Sequence, residues 1–338
     1  MEICAYCDLN VIRQNLLLFK SKGKRLLFMV KANAYGHGIV EVARATEDIV
    51  DYFGVATVNE GLKLRKSGIK KPILVSIFFC DDAMYYPAFD LTAAVFKKEH
   101  LSALSSEAKR VGVRAKAFVK SDTGMNRLGV KSDELEKFLS IAKNSTGVDF
   151  LGMFSHLRLL NEFQLDLFNA EKQIYKNILG DGIFHILSSK SADLPVDTDM
   201  IRVGIGGYGY ADGAIPALSV YTKVICSKFA KKGEFVSYGS CRLKKDANLA
   251  VVFGGYYDGI KRMGQSIVIG GKRRKVLSVA CMDISIVDTG EYVAKAGERA
   301  CILGEGYTAE DIAKDTDTIS YEVLTSLDKS RLKRVYFT

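Results

Sequence analysis

A lysine that ends an apolar run is the first residue in this chain that invites chemistry. In Phe28-Met29-Val30-Lys31-Ala32-Asn33-Ala34-Tyr35-Gly36-His37-Gly38, β-favouring residues reach Val30 and then give way to small, glycine-rich ones. An ammonium at the mouth of a buried strand is costly unless it is solvated, paired or chemically used. Desolvation lowers its pKa and turns it into a nucleophile toward carbonyls. At a strand end such an amine can hold pyridoxal phosphate as a Schiff base. A solvated lysine followed by ordinary turn glycines is the plainer account, and these residues taken alone favour it.

Other chemically capable residues stand in comparable places. Lys120, Asp122 and Arg127 come at or just after RAKAFVKS (114–121), and His156 closes VDFLGMFSH (148–156). Ser188 and Ser189 end IFHILS (183–188), while Arg202, Gly204 and Ile205 lie in MIRVGI (200–205). Each has a plain structural account: a satisfied core histidine, serines that cap a short helix, an arginine paired with a carboxylate. Their shared position at the ends of apolar runs calls for elements that gather those ends.

The elements do so. Apolar runs recur as RLLFMV (25–30), DYFGVAT (51–57), PILVS (72–76), LTAAVF (91–96) and the four named above, most separated by helical patterns such as NEGLKLRKSG and DELEKFLSIAK. Continuous apolar strands alternating with helices indicate a parallel sheet covered on both faces. The number of runs fits a closed (β/α)8 TIM barrel, whose active site lies at the C-terminal strand ends. An open doubly wound sheet is the runner-up, without a GxGxxG after the first strand. Asp8 is placed to cap a helix over NVIRQNLLLFKSK. After Pro216 short β-like runs follow closely, so the expected organisation is a barrel over 1–217 and a mainly β C-terminal domain over 218–338.

Composition narrows the class. A chain of 338 residues, 48% hydrophobic, can bury a large core. It has no apolar stretch long enough for a transmembrane helix, and MEICAYCDLN lacks signal-peptide character, so a cytoplasmic protein with no membrane partner is expected. Its 7 cysteines are scattered, and Cys4 and Cys7 form a CxxC with no companion pair; reduced thiols and no metal site are expected. The net charge is +9, with Lys272-Arg273-Arg274-Lys275 as a solvated hairpin tip, and no aromatic interleaving points to nucleic acid.

The wording of several segments then becomes informative. VKANAYGHG (30–38) resembles the cofactor-lysine signature of alanine racemases, fold-type III pyridoxal enzymes. DTGMNRLG (122–129) resembles their DTGMxRxG, RVGIGGYG (202–209) their RxGIxxYG, EFVSYG (234–239) their VSYG, VACMDIS (279–285) their RxCMDQ and ISYEVLTSL (319–327) their NYEV segment. The resemblance implies pyridoxal phosphate on Lys31, with Tyr35, Ser189, Tyr321 and the Gly204 and Ile205 amides at the phosphate. It puts Arg202 at the pyridine nitrogen, and Arg127 with the Met282 amide at the substrate carboxylate. It makes Tyr238 a second base beside His156, Lys31 serving D-alanine and Tyr238 L-alanine. It further implies carbamylation of Lys120 as a common feature, a homodimer in which Tyr238 and Met282 reach the opposite subunit's cofactor, and D-alanine supply for peptidoglycan.

The pattern is broken in places. The family's HFAxAD becomes HLRLLNEF, with Leu159 and Asn161; IGYADG becomes FGGYYDG, adding Tyr257; Val279 replaces an arginine and Ser188 an asparagine. These touch substrate range and turnover more than chemistry. Rival functions are racemisation of another small amino acid such as serine, a decarboxylase of the same fold type, and a non-catalytic pyridoxal phosphate carrier. Tyr321 favours alanine over serine, the CMD segment differs from the decarboxylase signature, and a carrier needs neither a second domain nor Tyr238.

Overall fold

The computed structural model describes residues 3–158, 162–238, 241–304 and 306–338; Leu159 and Asn161 lie outside them. Strand β1 (Ile3–Asp8) comes first, and the Asp8 carboxylate accepts the Val11 N–H at 3.0 Å to start helix Leu9–Lys20. The strands that follow are β2 (Arg25–Met29), β3 (Tyr52–Val55), β4 (Ile73–Val75), β5 (Leu91–Val95), β6 (Ala115–Lys120), β7 (Val148–Phe154), β8 (Ile183–His185) and β9 (Met200–Val203). They pair in parallel in the order β8-β7-β6-β5-β4-β3-β2-β9. The seam between β8 and β9 is held by the Ser188–Arg202 bridge, with Arg202 N–H on Leu187 O at 3.1 Å and Asp199 N–H on Phe184 O at 2.8 Å. The expected barrel is therefore present, nearly closed.

Its interior is a packed layer of Leu27, Leu74, Ala94, Phe118, Phe154 and Met200, all buried. Large apolar residues on successive strands fill a barrel of this size and leave only the rim for chemistry. Gly152 lets β7 approach β8: its φ is +148°, and a Cβ there would lie 2.0 Å from Ile183 O.

The second unit comprises residues 3–11, 35–38 and 215–338. Its strands are β10 (Leu218–Ala230), β11 (Ala247–Phe253), β12 (Ser266–Ile269), β13 (Lys272–Lys275), β14 (Ile284–Gly290), β15 (Arg299–Leu303) and β16 (Leu332–Phe337). One path runs β13-β12-β15-β10-β1-β16, and β11 pairs with β10 and β14. The hairpin is present, β12 against β13, but the basic run is its second strand and not its tip, which falls at Gly270-Gly271 with both φ positive. The N-terminal residues differ from the expected division, which gave 1–217 to the barrel. β1 pairs antiparallel with β10 and parallel with β16, because Ile3, Ala5 and Cys7 alternate inward and need the β unit's core. The seven cysteines, Cys4 and Cys7 included, are thiols outside any disulfide.

Candidate active site

β2 stops at Met29, and the chain then enters an unusual turn. Ala32, Asn33 and Ala34 have φ of 51°, 52° and 55°. L-residues avoid this left-handed region at a cost of about 1–2 kcal/mol each, and such strain collects at functional sites. Three contacts hold it: Ala34 N–H on Val30 O at 2.8 Å, the Ile39 N–H on Asn33 Oδ1 at 2.9 Å, and the Ala32 N–H on Glu60 Oε1 at 2.7 Å. Lys31 opens the turn. Partial burial, and then the charge of Arg127, lowers its pKa, while Glu60 opposes them.

Arg202 on β9 organises the opposite side. It is buried, and its guanidinium donates to Ser155 O at 2.6 Å, His185 O at 3.0 Å and Ile186 O at 3.2 Å. It also reaches His185 Nδ1 at 2.8 Å and His156 Nδ1 at 3.3 Å. A guanidinium has only donors, so both rings accept at Nδ1 and carry hydrogen on Nε2. Burial, reinforced by Arg202, keeps both rings neutral, with His156 down to about 3. Arg202 itself falls to about 9 through burial and Arg127, and stays charged at neutral pH. Phe154 stacks on His185, centroids 4.9 Å apart. The sequence reading missed His185; a histidine inside the apolar run IFHILS was its only signal.

Beside this pair lies a cradle of donors. Ser189 Oγ accepts the Gly204 N–H at 3.0 Å and the Gly206 N–H at 3.3 Å. Ile205 opens the short turn Ile205–Tyr208 that follows. A Cβ on Gly206 would come within 2.7 Å of the Phe19 ring and 3.0 Å of the Ser189 Cβ, so only glycine fits.

The loop after β6 completes the rim. Asp122 Oδ1 accepts N–H groups from Gly124 at 3.2 Å and from Met125 and Asn126 at 2.9 Å, which shapes the turn before Arg127. Arg127 is exposed. Lys120 is 7% exposed, and burial, with Arg127, Arg202 and Lys31, pulls it down to about 8. Lys31, Lys120, Arg127 and Arg202 thus feel one another's charge, as a site for anions requires.

The remaining expected residues belong to the β unit. Tyr238 is 70% exposed and Met282 is 51% exposed. Their segments are joined: Ser237 Oγ donates to Val279 O at 3.0 Å and lies 3.3 Å from Cys281 Sγ, and Ser278 Oγ donates to Tyr238 O. Tyr35 and Tyr321 are paired, ring centroids 6.0 Å apart, and burial raises both phenols. Tyr257, absent from the family pattern, carries Arg331 over its ring at 4.5 Å.

The barrel unit therefore assembles Lys31, Arg127, His156, Ser189, Arg202, Gly204 and Ile205, and the β unit assembles Tyr35 with Tyr321 and Tyr238 with Met282. Comparison with known proteins identifies the family. Residues 7–212 match the family model for the alanine racemase N-terminal domain, and residues 217–336 that for the alanine racemase C-terminal domain. The alanine racemase of Pasteurella multocida is 36% identical over 344 residues, covering 94% of this chain and 93% of the relative. The crystal structure of alanine racemase from a D-cycloserine-producing Streptomyces lavendulae superposes with a TM-score of 0.95 at 29% identity, covering 100% and 97% of the two chains. That of Bacillus anthracis, solved with bound L-Ala-P, gives 0.90 at 26% identity, covering 100% and 95%. With both family models matched in order across nearly its whole length, the chain belongs to the alanine racemase family.

Proposed function

We propose that Lys31 and Tyr238 are the two bases with which this chain, by family a pyridoxal phosphate-dependent isomerase of L- and D-alanine, inverts Cα. The observation that carries the assignment is the partly desolvated Lys31 amine set among the cations Lys120, Arg127 and Arg202 at the rim of the barrel. The residues suit the cofactor. Lys31 is the amine for its carbonyl; the Ser189 hydroxyl and the Ile205 amide would donate to the phosphate, together with the Gly204 and Gly206 amides once these turn from Ser189 Oγ, on which they are held here, and Tyr35 and Tyr321 would add phenols. When bound, pyridoxal phosphate supplies the electron sink that acidifies the Cα–H of the attached amino acid.

The protein's own groups then divide the work. Arg127, a planar fork, binds the substrate carboxylate, helped by the Met282 amide. Arg202, a donor only, would hold the ring nitrogen without giving it a proton, so the sink would stay weak and transamination would be disfavoured. One base takes the Cα proton and the other returns one to the opposite face. A tyrosine of pKa about 10 is a poor base at neutral pH. The neutral His156, with its hydrogen on Nε2, is a donor suited to stabilise the Tyr238 phenolate, and the surrounding cations assist.

The exposure of Tyr238 and Met282 in the single chain supports a homodimer in which each β unit completes the partner's site. Seven cysteines kept as thiols support work in the cytoplasm. Among the described residues no helix is long and apolar enough to cross a membrane. The test is direct: purified chain with pyridoxal phosphate should convert L-alanine to the racemate faster than L-serine, and should absorb in the near-visible. Lys31→Ala should lose the band and the activity. A colourless wild-type chain that cannot be reconstituted overturns the reading.

A further inference from the structure

Glu60 is a carboxylate that the mechanism above does not use, yet it is bonded to the turn that carries Lys31. One oxygen, Oε1, accepts the Ala32 N–H at 2.7 Å; the other, Oε2, accepts the Ala56 N–H at 2.8 Å and the Thr57 N–H at 3.3 Å. The side chain therefore bridges the chain just beyond β2 to the chain just beyond β3. Its own backbone is fixed in the first turn of helix Val58–Lys66, where the Thr57 hydroxyl accepts the Glu60 N–H at 3.4 Å and completes a capping box. A carboxylate is favoured there by the helix dipole. Ala32 is the first residue of the left-handed run, and an alanine has no side-chain reason to stay in it.

We propose that Glu60 is a positioning residue for Lys31: its carboxylate pins the strained turn so that the lysine amine points into the site. The proposal rests on Lys31 being the cofactor lysine and base. A second effect follows from charge. The amine faces Arg127, Lys120 and His156, and Glu60 is the carboxylate that offsets Arg127 in favour of its charged form. Glutamine is nearly the same size but brings an NH2 group to a place where both neighbours donate, so it loses one of the two bridges and the charge.

The test uses the full-length chain, with and without cofactor. Hydrogen exchange of the Ala32 amide in the loaded protein should quicken about tenfold in Glu60→Gln and Glu60→Ala, as local opening becomes easier. In the cofactor-free chain, site-resolved acylation of Lys31 at neutral pH should rise severalfold, because losing the nearby carboxylate leaves more neutral amine. In Glu60→Gln, kcat should fall with little change in KM. Thr57→Ala, which removes the cap hydroxyl and leaves the carboxylate, should lower the melting temperature without moving either readout. Unchanged exchange and unchanged Lys31 acylation in Glu60→Gln overturn the proposal, even if stability drops, because Glu60 is then only a helix cap. Failure of the functional reading would show separately, as cofactor retained by Lys31→Ala.

Discussion

Neutral imidazole is the residue-scale feature with the clearest consequences. His156 and His185 lie against Arg202, and burial pushes both below the usual histidine range, His156 to about 3. In the unfolded chain each would titrate near 6.5. Between those values the unfolded state binds the extra proton, so stability is intact above about 6.5 and falls as pH drops toward about 3. Urea unfolding from pH 7 to pH 4 should show this decline, and His156→Gln should remove about 1.4 kcal/mol of it per pH unit. An unaltered slope would mean that His156 is not held neutral. The second residue-scale prediction concerns Tyr238. Tyr238→Phe should cut racemisation in both directions by about 10²–10⁴-fold, since each direction needs both bases. It should still allow slow exchange of the D-alanine α-proton in D2O through Lys31, followed by NMR. Exchange into L-alanine alone would swap the faces, and undiminished racemisation would leave Tyr238 a surface aromatic.

At the scale of elements, the barrel strands were readable because continuous Val, Leu, Ile and Phe runs have no other use in a chain this long. Their ends were readable too, which is why Lys31, His156 and Arg202 share a rim. Other elements gave weak signals. β16, LKRVYF, carries Lys333 and Arg334 and reads as solvated surface; β1, ICAYCD, alternates correctly but is short and looks like the approach to a helix. The left-handed turn was illegible, because Ala32, Asn33 and Ala34 would serve equally in an ordinary turn and only tertiary bonds impose their φ. Glu60 shows the same limit: Thr57-x-x-Glu60 is visible as a capping box, but its bond to Ala32 spans two strands. Close backbone approach is equally hidden, and Gly152 makes it testable. Gly152→Ala would thrust a methyl to 2.0 Å from Ile183 O and 2.5 Å from Ile183 N. Overpacking typically costs about 1–3 kcal/mol, and forcing β7 from β8 should reach or exceed the upper end, seen as a lower melting temperature. Activity should fall with it, because those strands lead to His156 and carry His185. An unchanged melting temperature would show that the pair can part freely.

The whole molecule divides its chemistry between two units. The barrel unit gathers the cations Lys31, Lys120, Arg127 and Arg202, while the β unit presents Tyr238, 70% exposed, beside Met282. A base so exposed in one chain does little unless something covers it, since general base work needs a fixed partner within hydrogen-bond reach. The homodimer proposed above supplies that cover with a second copy of the same chain, and it makes a genetic form of the test possible. Lys31→Ala subunits and Tyr238→Phe subunits should each be inactive alone. In a mixed dimer with shared sites, one site receives both defects and the other receives neither. Mixing the two variants under conditions where subunits exchange should therefore restore activity, approaching about one quarter of wild type when exchange is complete, because half the dimers are mixed and each has one intact site of two. Exchange is checked independently with a mass-tagged subunit. If tagged heterodimers form and no activity returns, each chain completes its own site, and Tyr238 must serve the Lys31 of the same chain.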